Sequence, residues 1–502
     1  MELTGRRDRQ IIGAPAPVPR VRLEELRVTF AYRLLLVAGP LLVTACAATG
    51  DAEHGEESHE RRPKAHLDSM SGALLSQALA QSMSSKRPGA GVPGGTPPPT
   101  GTASTFDSQL PMSYFSDWEP AVACSRDGRY VYQSTTRYGD PSSFSQPHLP
   151  LRISTDGGQT WQPDQYIENT RAWEADPQIA VSDDGTVFVV WLSLFTPGVS
   201  FKKSSDHGRT WTAPIALAPK SASFPSGWSD KPWLVVHPNG QDLFVGFNSS
   251  DPYVVVSHDG GATWTAPIQT ASNGRYWYHT GGCVAPNGDV YFATADYRFN
   301  FTGPTYVNVT RSTDNGATWS NIRIDTSDEM PDCASVPGCY FGFLGPQSSI
   351  ACDSAGTLMY VWNAGVARRR PQKLWSSTST DGVNWSPRQQ LSVAPNAVHN
   401  GFPAVASSGT PGDFRVVWQD TRMAGAWNTW FKETRDGGVT WKNDVRLSQL
   451  DVPVVYKSSL GYDFVFGDYL GLAVDGFGTN HVIWGEGANY NGPGHTWFTR
   501  GW

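Results

Sequence analysis

Carboxylates recur where short β-rich segments of this chain begin, often beside an aromatic residue and a proline. Glu119 and Asp176 each directly precede a proline, and Asp230 lies two residues before one. Acids that converge from several strands shift one another's pKa values, and they could transfer protons or hold a hard cation such as calcium. An acid before a proline often only caps a turn, so this alternative stays open for each residue.

Looser versions of the same opening supply further candidates. Asp468 and Tyr469 lie together, and a tyrosine beside acids could act as a nucleophile. His279 opens another segment, and three arginines follow the β-rich runs, where they could bind an anionic group or form local salt bridges. The catalytic candidates are Glu119, Asp176, Asp230, Asp468 and Tyr469, and the substrate-binding candidates are Arg137, Arg298, Arg422 and His279.

A repeated phrase shows which elements must position these residues. Residues 154–161 read Ser-Thr-Asp-Gly-Gly-Gln-Thr-Trp, and close copies end at Trp211, Trp264, Trp319 and Trp441. A sixth, shorter copy occupies 379–385. The copies recur about every 50 to 70 residues, which is typical of one structural unit stacked many times. The hydroxyl and carboxylate can bond backbone amides of a tight turn, the glycines permit positive φ, and the tryptophan covers the turn.

The elements between these turns predict an all-β fold, a β-propeller. Seven pairs of first and second strands are present, but only six turns join third to fourth strands, and the segment 495–500 is a third strand with nothing after it. A propeller closes by borrowing a strand from the start of the chain, and residues 104–112 are available. We therefore expect seven four-stranded blades, with six as the alternative if one pair is an insertion.

Composition agrees with this fold and excludes one class of partner. The chain has 20 Trp, 51 Gly and 37 Pro, so aromatic packing and tight turns are expected to carry the structure. A formal net charge of −7, without a basic stripe among aromatics, argues against binding of nucleic acid. We expect a monomer.

The first 105 residues are of a different kind. An apolar run over 34–45 is too short for a permanent membrane span and suits the core of a signal peptide, and it ends in Val-Thr-Ala-Cys at Cys46. This ending resembles a bacterial lipobox, which implies that Cys46 is lipidated, although 1–32 is long for such a signal. An ordinary secretory signal is the alternative. We expect a signal peptide over 1–46, a disordered linker over 47–105 and a propeller over 106–502.

Five cysteines remain after Cys46. Cys333 and Cys339 flank a five-residue loop in the longest insertion between turns, and a disulfide could join them in an oxidising compartment. Cys124, Cys283 and Cys352 lie in predicted innermost strands, where buried thiols are expected. No pair has the spacing of a zinc site, so no metal site is expected from the cysteines.

The repeated phrase resembles the Asp-box, or BNR repeat, of the sialidase superfamily, and the resemblance covers roughly 106–502. It implies a structural role for the turn aspartates, which lie at the blade periphery in that superfamily. These are Asp156, Asp206, Asp259, Asp314, Asp381 and Asp436.

Sialidases also carry an Arg-Ile-Pro motif before the first Asp-box. The nearest match here, 151–154, reads Leu-Arg-Ile-Ser and lacks the proline. Two hypotheses follow. The first is a sialidase-like glycoside hydrolase, anchored at a bacterial cell envelope or secreted, that acts on exposed glycans. The second is a non-catalytic propeller that binds a glycan or a protein. In either case carbohydrate or glycoprotein is the expected partner, and the lipid anchor is the expected membrane contact. No cofactor is expected, although the acids could hold calcium.

Overall fold

The computed structural model describes residues 104–112, 115–138, 147–168, 173–194, 198–298, 302–331, 345–392, 395–423, 426–449, 469–487 and 494–502. These residues form 28 β-strands. Among them, no helix has the length and apolar character needed to cross a membrane.

The strands fall into seven antiparallel sheets of four. The closing strand is β1 (Leu110–Pro111). Blade 1 contains β2 (Ser116–Cys124), β3 (Val131–Tyr138), β4 (Pro150–Ser154) and β5 (Gln165–Tyr166); blade 2 contains β6 (Glu174–Val181), β7 (Val187–Ser193), β8 (Gly198–Ser204) and β9 (Ile215–Ala216); blade 3 contains β10 (Asp230–Val236), β11 (Leu243–Ser249), β12 (Asp251–Ser257) and β13 (Ile268–Gln269); blade 4 contains β14 (Tyr276–Val284), β15 (Val290–Tyr297), β16 (Thr305–Ser312) and β17 (Ser320–Ser327); blade 5 contains β18 (Ser348–Cys352), β19 (Leu358–Ala364), β20 (Lys373–Ser379) and β21 (Gln389–Gln390); blade 6 contains β22 (Asn400–Ser407), β23 (Phe414–Met423), β24 (Ala426–Thr434) and β25 (Val445–Arg446); blade 7 contains β26 (Gly471–Val474), β27 (Asn480–Gly487) and β28 (Gly494–Gly501).

Blade 7 is completed from the start of the chain. Strand β1 pairs with β28, with Leu110 opposite Phe498, and the sheet order is β26-β27-β28-β1. The other six blades are each built from four consecutive strands. The prediction of seven blades closed by the 104–112 segment is therefore confirmed.

Apolar side chains of the second strands fill the space between blades. Val187, Val189 and Trp191 of β7 join residues of blade 1 in one core cluster. The next boundaries repeat this arrangement, for example with Phe244 and Phe292 of blades 3 and 4 in another cluster. Each blade therefore covers the apolar face of its neighbour, and a single sheet would leave that face exposed.

The Asp-box turn has the same hydrogen bonds in each full copy. In the first copy, Gly158 N donates to Ser154 Oγ at 2.8 Å, while Ser154 Oγ donates to Asp156 Oδ1 at 2.7 Å. Thr160 donates to the same carboxylate through its backbone N (2.8 Å) and through Oγ1 (2.6 Å). In the shorter copy, Asn384 Nδ2 donates to Asp381 Oδ2 at 2.7 Å in place of the threonine hydroxyl.

Each Asp-box packs on the blade before it. The φ of Gly261 is 84°, and a Cβ there would lie 2.3 Å from Cζ of Phe201 in blade 2. The described residues of blade 7 include no Asp-box, and the closing segment covers the equivalent face of blade 6. Phe106 contacts Phe431 edge to face at 4.8 Å, and Ser104 Oγ donates to Glu433 at 3.1 Å. The closing segment thus replaces both a strand and a turn.

Candidate functional site at the propeller axis

A β-bulge interrupts the first strand just before a proline in four blades. The register shifts at this point in β2, β6, β10 and β22. The residue before the proline has a φ between 50° and 55°, a conformation that residues other than glycine rarely adopt. These residues are Glu119, Asp176, Lys231 and Phe402.

Three of these bulge residues meet with a tyrosine of blade 7. Lys231 Nζ lies 2.7 Å from Asp176 Oδ1 and 3.3 Å from Glu119 Oε1. The Tyr469 hydroxyl donates to Asp176 Oδ1 at 3.1 Å. The four side chains come from blades 1, 2, 3 and 7, which are not all neighbours, and blades that are not neighbours can meet only at the axis. We call Glu119, Asp176, Lys231 and Tyr469 the axial cluster.

Blade 1 adds a fifth partner to the axial cluster. Thr136 Oγ1 donates to Glu119 Oε2 at 2.8 Å and accepts from the backbone N of Asp176 at 3.0 Å. The ring of Tyr469 lies 5.7 Å from Lys231 Nζ and contacts Trp233 edge to face at 6.0 Å. Each residue of the axial cluster is less than one tenth exposed.

The charges of the axial cluster favour the ionised form of Glu119. Burial alone would raise the pKa of the Glu119 carboxyl, but the Lys231 charge and the hydrogen bonds to the carboxylate outweigh it, so the pKa is lowered. The ammonium of Lys231 lies between the two carboxylates, in the place that a cation would need. The arrangement therefore supplies its own positive charge.

Asp230 and His279 lie beside the axis rather than on it. Asp230 accepts from the Tyr276 hydroxyl at 2.9 Å and from the backbone N of Lys231 at 3.0 Å. His279 is buried against Gly246, where a Cβ would lie 2.5 Å from its Cδ2. Burial lowers the pKa of His279 to about 3, so the ring is neutral. His279 thus lies in the core between blades 3 and 4, away from any surface that a substrate could reach.

Two of the three candidate arginines are held by acids near them in the same blade. Arg137 binds both oxygens of Asp117, at 2.9 and 3.0 Å, and its third nitrogen lies 2.7 Å from Asp164. Arg422 bridges Asp420 and Asp444, each at 2.6 Å.

The third arginine differs. Arg298 is exposed at the end of blade 4, beside Gly303. The structure therefore does not bring the three arginines together, and for Arg137 and Arg422 it shows the local salt bridges of the sequence-based alternative.

Two further acids, which lie inside blades, have raised pKa values. Burial, with repulsion from Glu168, raises the pKa of Glu174 to about 8, although the Leu149 amide and Lys202 oppose this. Burial raises the pKa of Glu486 to about 7, against hydrogen bonds from Ser448, Trp484 and Asn428. Both carboxyls are 1% exposed or less, so neither is open to solvent.

The first strands begin and the second strands end at one end of the propeller, which we call the axial face. The connection between β19 and β20 adds exposed positive charge there. Arg368 Nε and Arg369 Nε both contact the Glu329 carboxylate, at 3.0 and 2.6 Å, and their side chains are 68% and 54% exposed. Arg370 follows and is exposed too. Hydrogen bonds from Arg369 and Arg368 lower the pKa of Glu329 to about 2. We call Arg368, Arg369 and Arg370 the basic loop.

Four residues for which the sequence predicts a role lie outside the described residues. They are Cys46, Cys333, Cys339 and Asp468. Within the described part of the chain, no three His, Cys, Asp or Glu side chains converge in a way that could hold a metal ion.

Sequence reasoning missed Lys231 and Thr136. The signal for Lys231 is the proline register: the residue directly before the proline reaches the axis in blades 1, 2 and 3. An alignment of the blades on Pro120, Pro177 and Pro232 selects Lys231 rather than Asp230. No signal in the sequence marks Thr136, because its role depends on contacts between two blades.

The sequence matches two family models. Residues 191–397 match a BNR repeat-like domain, and residues 152–163 match the BNR/Asp-box repeat. The chain is a BNR-repeat β-propeller. This confirms the superfamily expected from the repeated phrase. No curated protein matches the sequence of this BNR propeller.

Solved structures similar to this BNR propeller include proteins of different kinds. A protein of unknown function from Dyadobacter fermentans DSM 18053 has 12% identity and a TM-score of 0.46, over 79% of this chain and 98% of that chain. YCF48 bound to D1 peptide has 16% identity and a TM-score of 0.43, over 80% and 97%. The NanB sialidase from Streptococcus pneumoniae has 11% identity and a TM-score of 0.41, over 78% and 69%. The fold assignment does not depend on these likenesses, since the strand order of this chain establishes it.

Proposed function

We propose that this BNR propeller is a recognition module that binds a carbohydrate or glycoprotein at its axial face without hydrolysing it. The observation that supports the proposal is the axial cluster, in which the two carboxylates share Lys231 as a partner.

Glycoside hydrolysis needs a general acid that still carries a proton at neutral pH. The lowered pKa of Glu119 makes it a poor general acid. Lys231 also lies 2.7 Å from Asp176, so the second carboxylate of the axial cluster already has a cationic partner. The acids whose pKa values are raised, Glu174 and Glu486, are closed inside blades. The acids with raised pKa values and the acid with a lowered pKa therefore lie in different places, which suits a rigid scaffold better than a proton-transfer site.

The basic loop is the proposed ligand contact. Its contacts with Glu329 show that two guanidinium groups can converge on one carboxylate from this position. The loop is positive, while the formal charge of the whole chain is −7. A glycan that bears a carboxylate would therefore be attracted to this part of the axial face, where Arg368 and Arg370 are exposed.

One observation favours the hydrolase as a second candidate. The Tyr469 hydroxyl donates to the Asp176 carboxylate at the axis. A tyrosine that is hydrogen-bonded to a carboxylate has the arrangement of a nucleophile and its general base. Lys231 weakens Asp176 as a base because it binds the same oxygen.

The proposed location is a bacterial cell envelope, with Cys46 as the lipid-bearing residue, or outside the cell if the signal peptide is an ordinary one. This proposal is supported by the lipobox-like sequence at 43–46. Mass spectrometry of the protein extracted from its native membrane tests it, since lipidation would add two acyl chains at Cys46.

A glycan array tests the recognition proposal. The full chain should capture glycans that bear carboxylates, and a variant with Arg368→Ala, Arg369→Ala and Arg370→Ala should bind them at least about tenfold more weakly, because charge-assisted hydrogen bonds are lost. The matched control is Arg126→Ala, which removes an exposed arginine that contacts Asp183 at the opposite end of the propeller. Equal binding by the triple variant and the wild type would exclude the basic loop as the contact.

Turnover assays separate the two candidate functions. The full chain is incubated with fluorogenic glycosides that include an α-sialoside, with and without calcium. We expect no turnover. Turnover that disappears in a folded Tyr469→Phe variant would establish the hydrolase and contradict the recognition proposal.

A further inference from the structure

Two cysteines of neighbouring blades lie side by side. Cys283 belongs to β14 and Cys352 to β18, the first strands of blades 4 and 5. These strands approach so closely that a Cβ on Gly281 would lie 2.8 Å from Cα of Ser349. First strands of adjacent blades run in the same direction, so the residue two positions after Gly281 lies beside the end of β18.

The packing around the two thiols agrees with this alignment of β14 beside β18. Both cysteines pack against the same core cluster, which contains Tyr291, Ile350 and Leu358. Burial, together with the neighbouring Cys352 thiol, raises the pKa of Cys283. Neither thiol is fully buried, and both are free in the structure.

We propose that Cys283 and Cys352 form an oxidisable pair that closes into a disulfide between blades 4 and 5 when it meets a small disulfide oxidant such as oxidised glutathione. The Cys352 thiol loses its proton and attacks one sulfur of the oxidant, which releases one glutathione thiolate. The Cys283 thiol then loses its proton and attacks the sulfur of Cys352, which releases the second glutathione. Two protein thiols are oxidised, and one disulfide is reduced to two thiols.

Burial raises the pKa of the Cys283 thiol and so disfavours its thiolate, the form that attacks a disulfide. The bridge would close a long loop that contains the outer strands of blade 4, and cross-links over long loops restrict the unfolded chain most.

Peptide mapping of the full chain tests the pair directly. The protein is incubated with oxidised glutathione or with a reductant, alkylated in denaturant, digested and analysed by mass spectrometry. We expect a linked peptide containing Cys283 and Cys352 after oxidation, and alkylation of both after reduction. The unfolding temperature should rise by about 5 °C on oxidation.

The variants Cys283→Ala and Cys352→Ala should each abolish the linked peptide and the rise in unfolding temperature. Cys124→Ala is the matched control, because Cys124 ends the first strand of blade 1 in a different core cluster. This variant should keep both readouts. Full alkylation of Cys283 and Cys352 after oxidation, or glutathione on Cys352 with no linked peptide, would overturn the proposal.

Discussion

The two ends of the propeller differ in how far the residues at equivalent positions of the blades are alike. At the Asp-box end, the five full turns repeat one set of hydrogen bonds, so that Asp206, Asp259 and Asp314 have equivalent partners. At the axial face, equivalent bulge positions carry Glu119, Asp176, Lys231 and Phe402. Repetition at one end stabilises each blade locally, whereas variation at the other end creates contacts between distant blades. A repeat fold can therefore keep its architecture while its site changes.

The largest expected effect comes from removal of the cation at the axis. Lys231→Met should lower the free energy of unfolding by about 3–5 kcal/mol, because it leaves two buried carboxylates without their shared partner. Denaturant unfolding at pH 7 measures it. The control at the Asp-box end is Lys203→Met, which removes a single contact to the Gly260 carbonyl and should cost about 1 kcal/mol or less.

A rescue variant tests whether the loss in Lys231→Met comes from the unpaired carboxylates. The addition of Glu119→Gln and Asp176→Asn to Lys231→Met should recover part of the loss, since neutral side chains need no counter-charge. If Lys203→Met costs as much as Lys231→Met, the contrast between the two ends is wrong.

The acids inside blades extend the comparison to pH. The pKa of Glu174 is raised to about 8, above its ordinary value of 4.5, so this group stabilises the fold most below about pH 4.5 and loses that contribution as the pH rises towards 8. Glu174→Gln should therefore reduce the fall in unfolding temperature between pH 5 and pH 8. Part of the fall should remain, because Glu486 titrates in the same direction.

Glu329→Gln is the control for this pH effect. Its pKa is lowered to about 2, so its titration lies outside the range from pH 5 to pH 8. An unchanged slope in Glu174→Gln would show that Glu174 is ionised in the folded protein.

The fold could be predicted from the sequence because its signals are local. The Asp-box phrase needs only residues within one turn, and the closing strand follows from the count of strands. The axial face could be predicted only in part. Glu119, Asp176 and Tyr469 were selected from their place at strand openings, but the partnership with Lys231 joins residues far apart in sequence. His279 also lies near the start of a first strand, but its side chain lies in the core. The register of β14 shifts at His279, and a shift of one residue turns a side chain to the opposite face of the strand.

A pair of glycines tests whether Asp-box packing, rather than backbone conformation alone, holds neighbouring blades. Gly261 and Gly288 have similar φ values of 84° and 87°, but a Cβ on Gly261 would collide with Phe201, while a Cβ on Gly288 meets nothing within 4 Å. Gly261→Ala should therefore destabilise the protein by about 1–3 kcal/mol more than Gly288→Ala. Equal losses in denaturant unfolding would show that the contact with blade 2 adds nothing to the backbone strain.

The smallest effect is expected for one Asp-box carboxylate. Hydrogen bonds from Thr263 and Ser257 lower the pKa of Asp259 to about 2, below its ordinary value of 3.8. Its contribution to stability is therefore present above about pH 3.8 and is lost as the pH falls towards 2. Asp259→Asn should lower the unfolding temperature by about 1 °C at pH 7, and the difference should vanish near pH 2.

The control for Asp259→Asn is Asp183→Asn, which changes a surface acid outside the Asp-boxes that contacts exposed Arg126. It should leave the unfolding temperature unchanged, because exposed ion pairs contribute little. The five full Asp-box turns have equivalent hydrogen bonds, so the loss of one should be tolerated, whereas the axial cluster occurs once and no other contact can replace Lys231. A loss in Asp259→Asn as large as that in Lys231→Met would show that a single Asp-box is as critical as the axis, and the contrast between the two ends would fail.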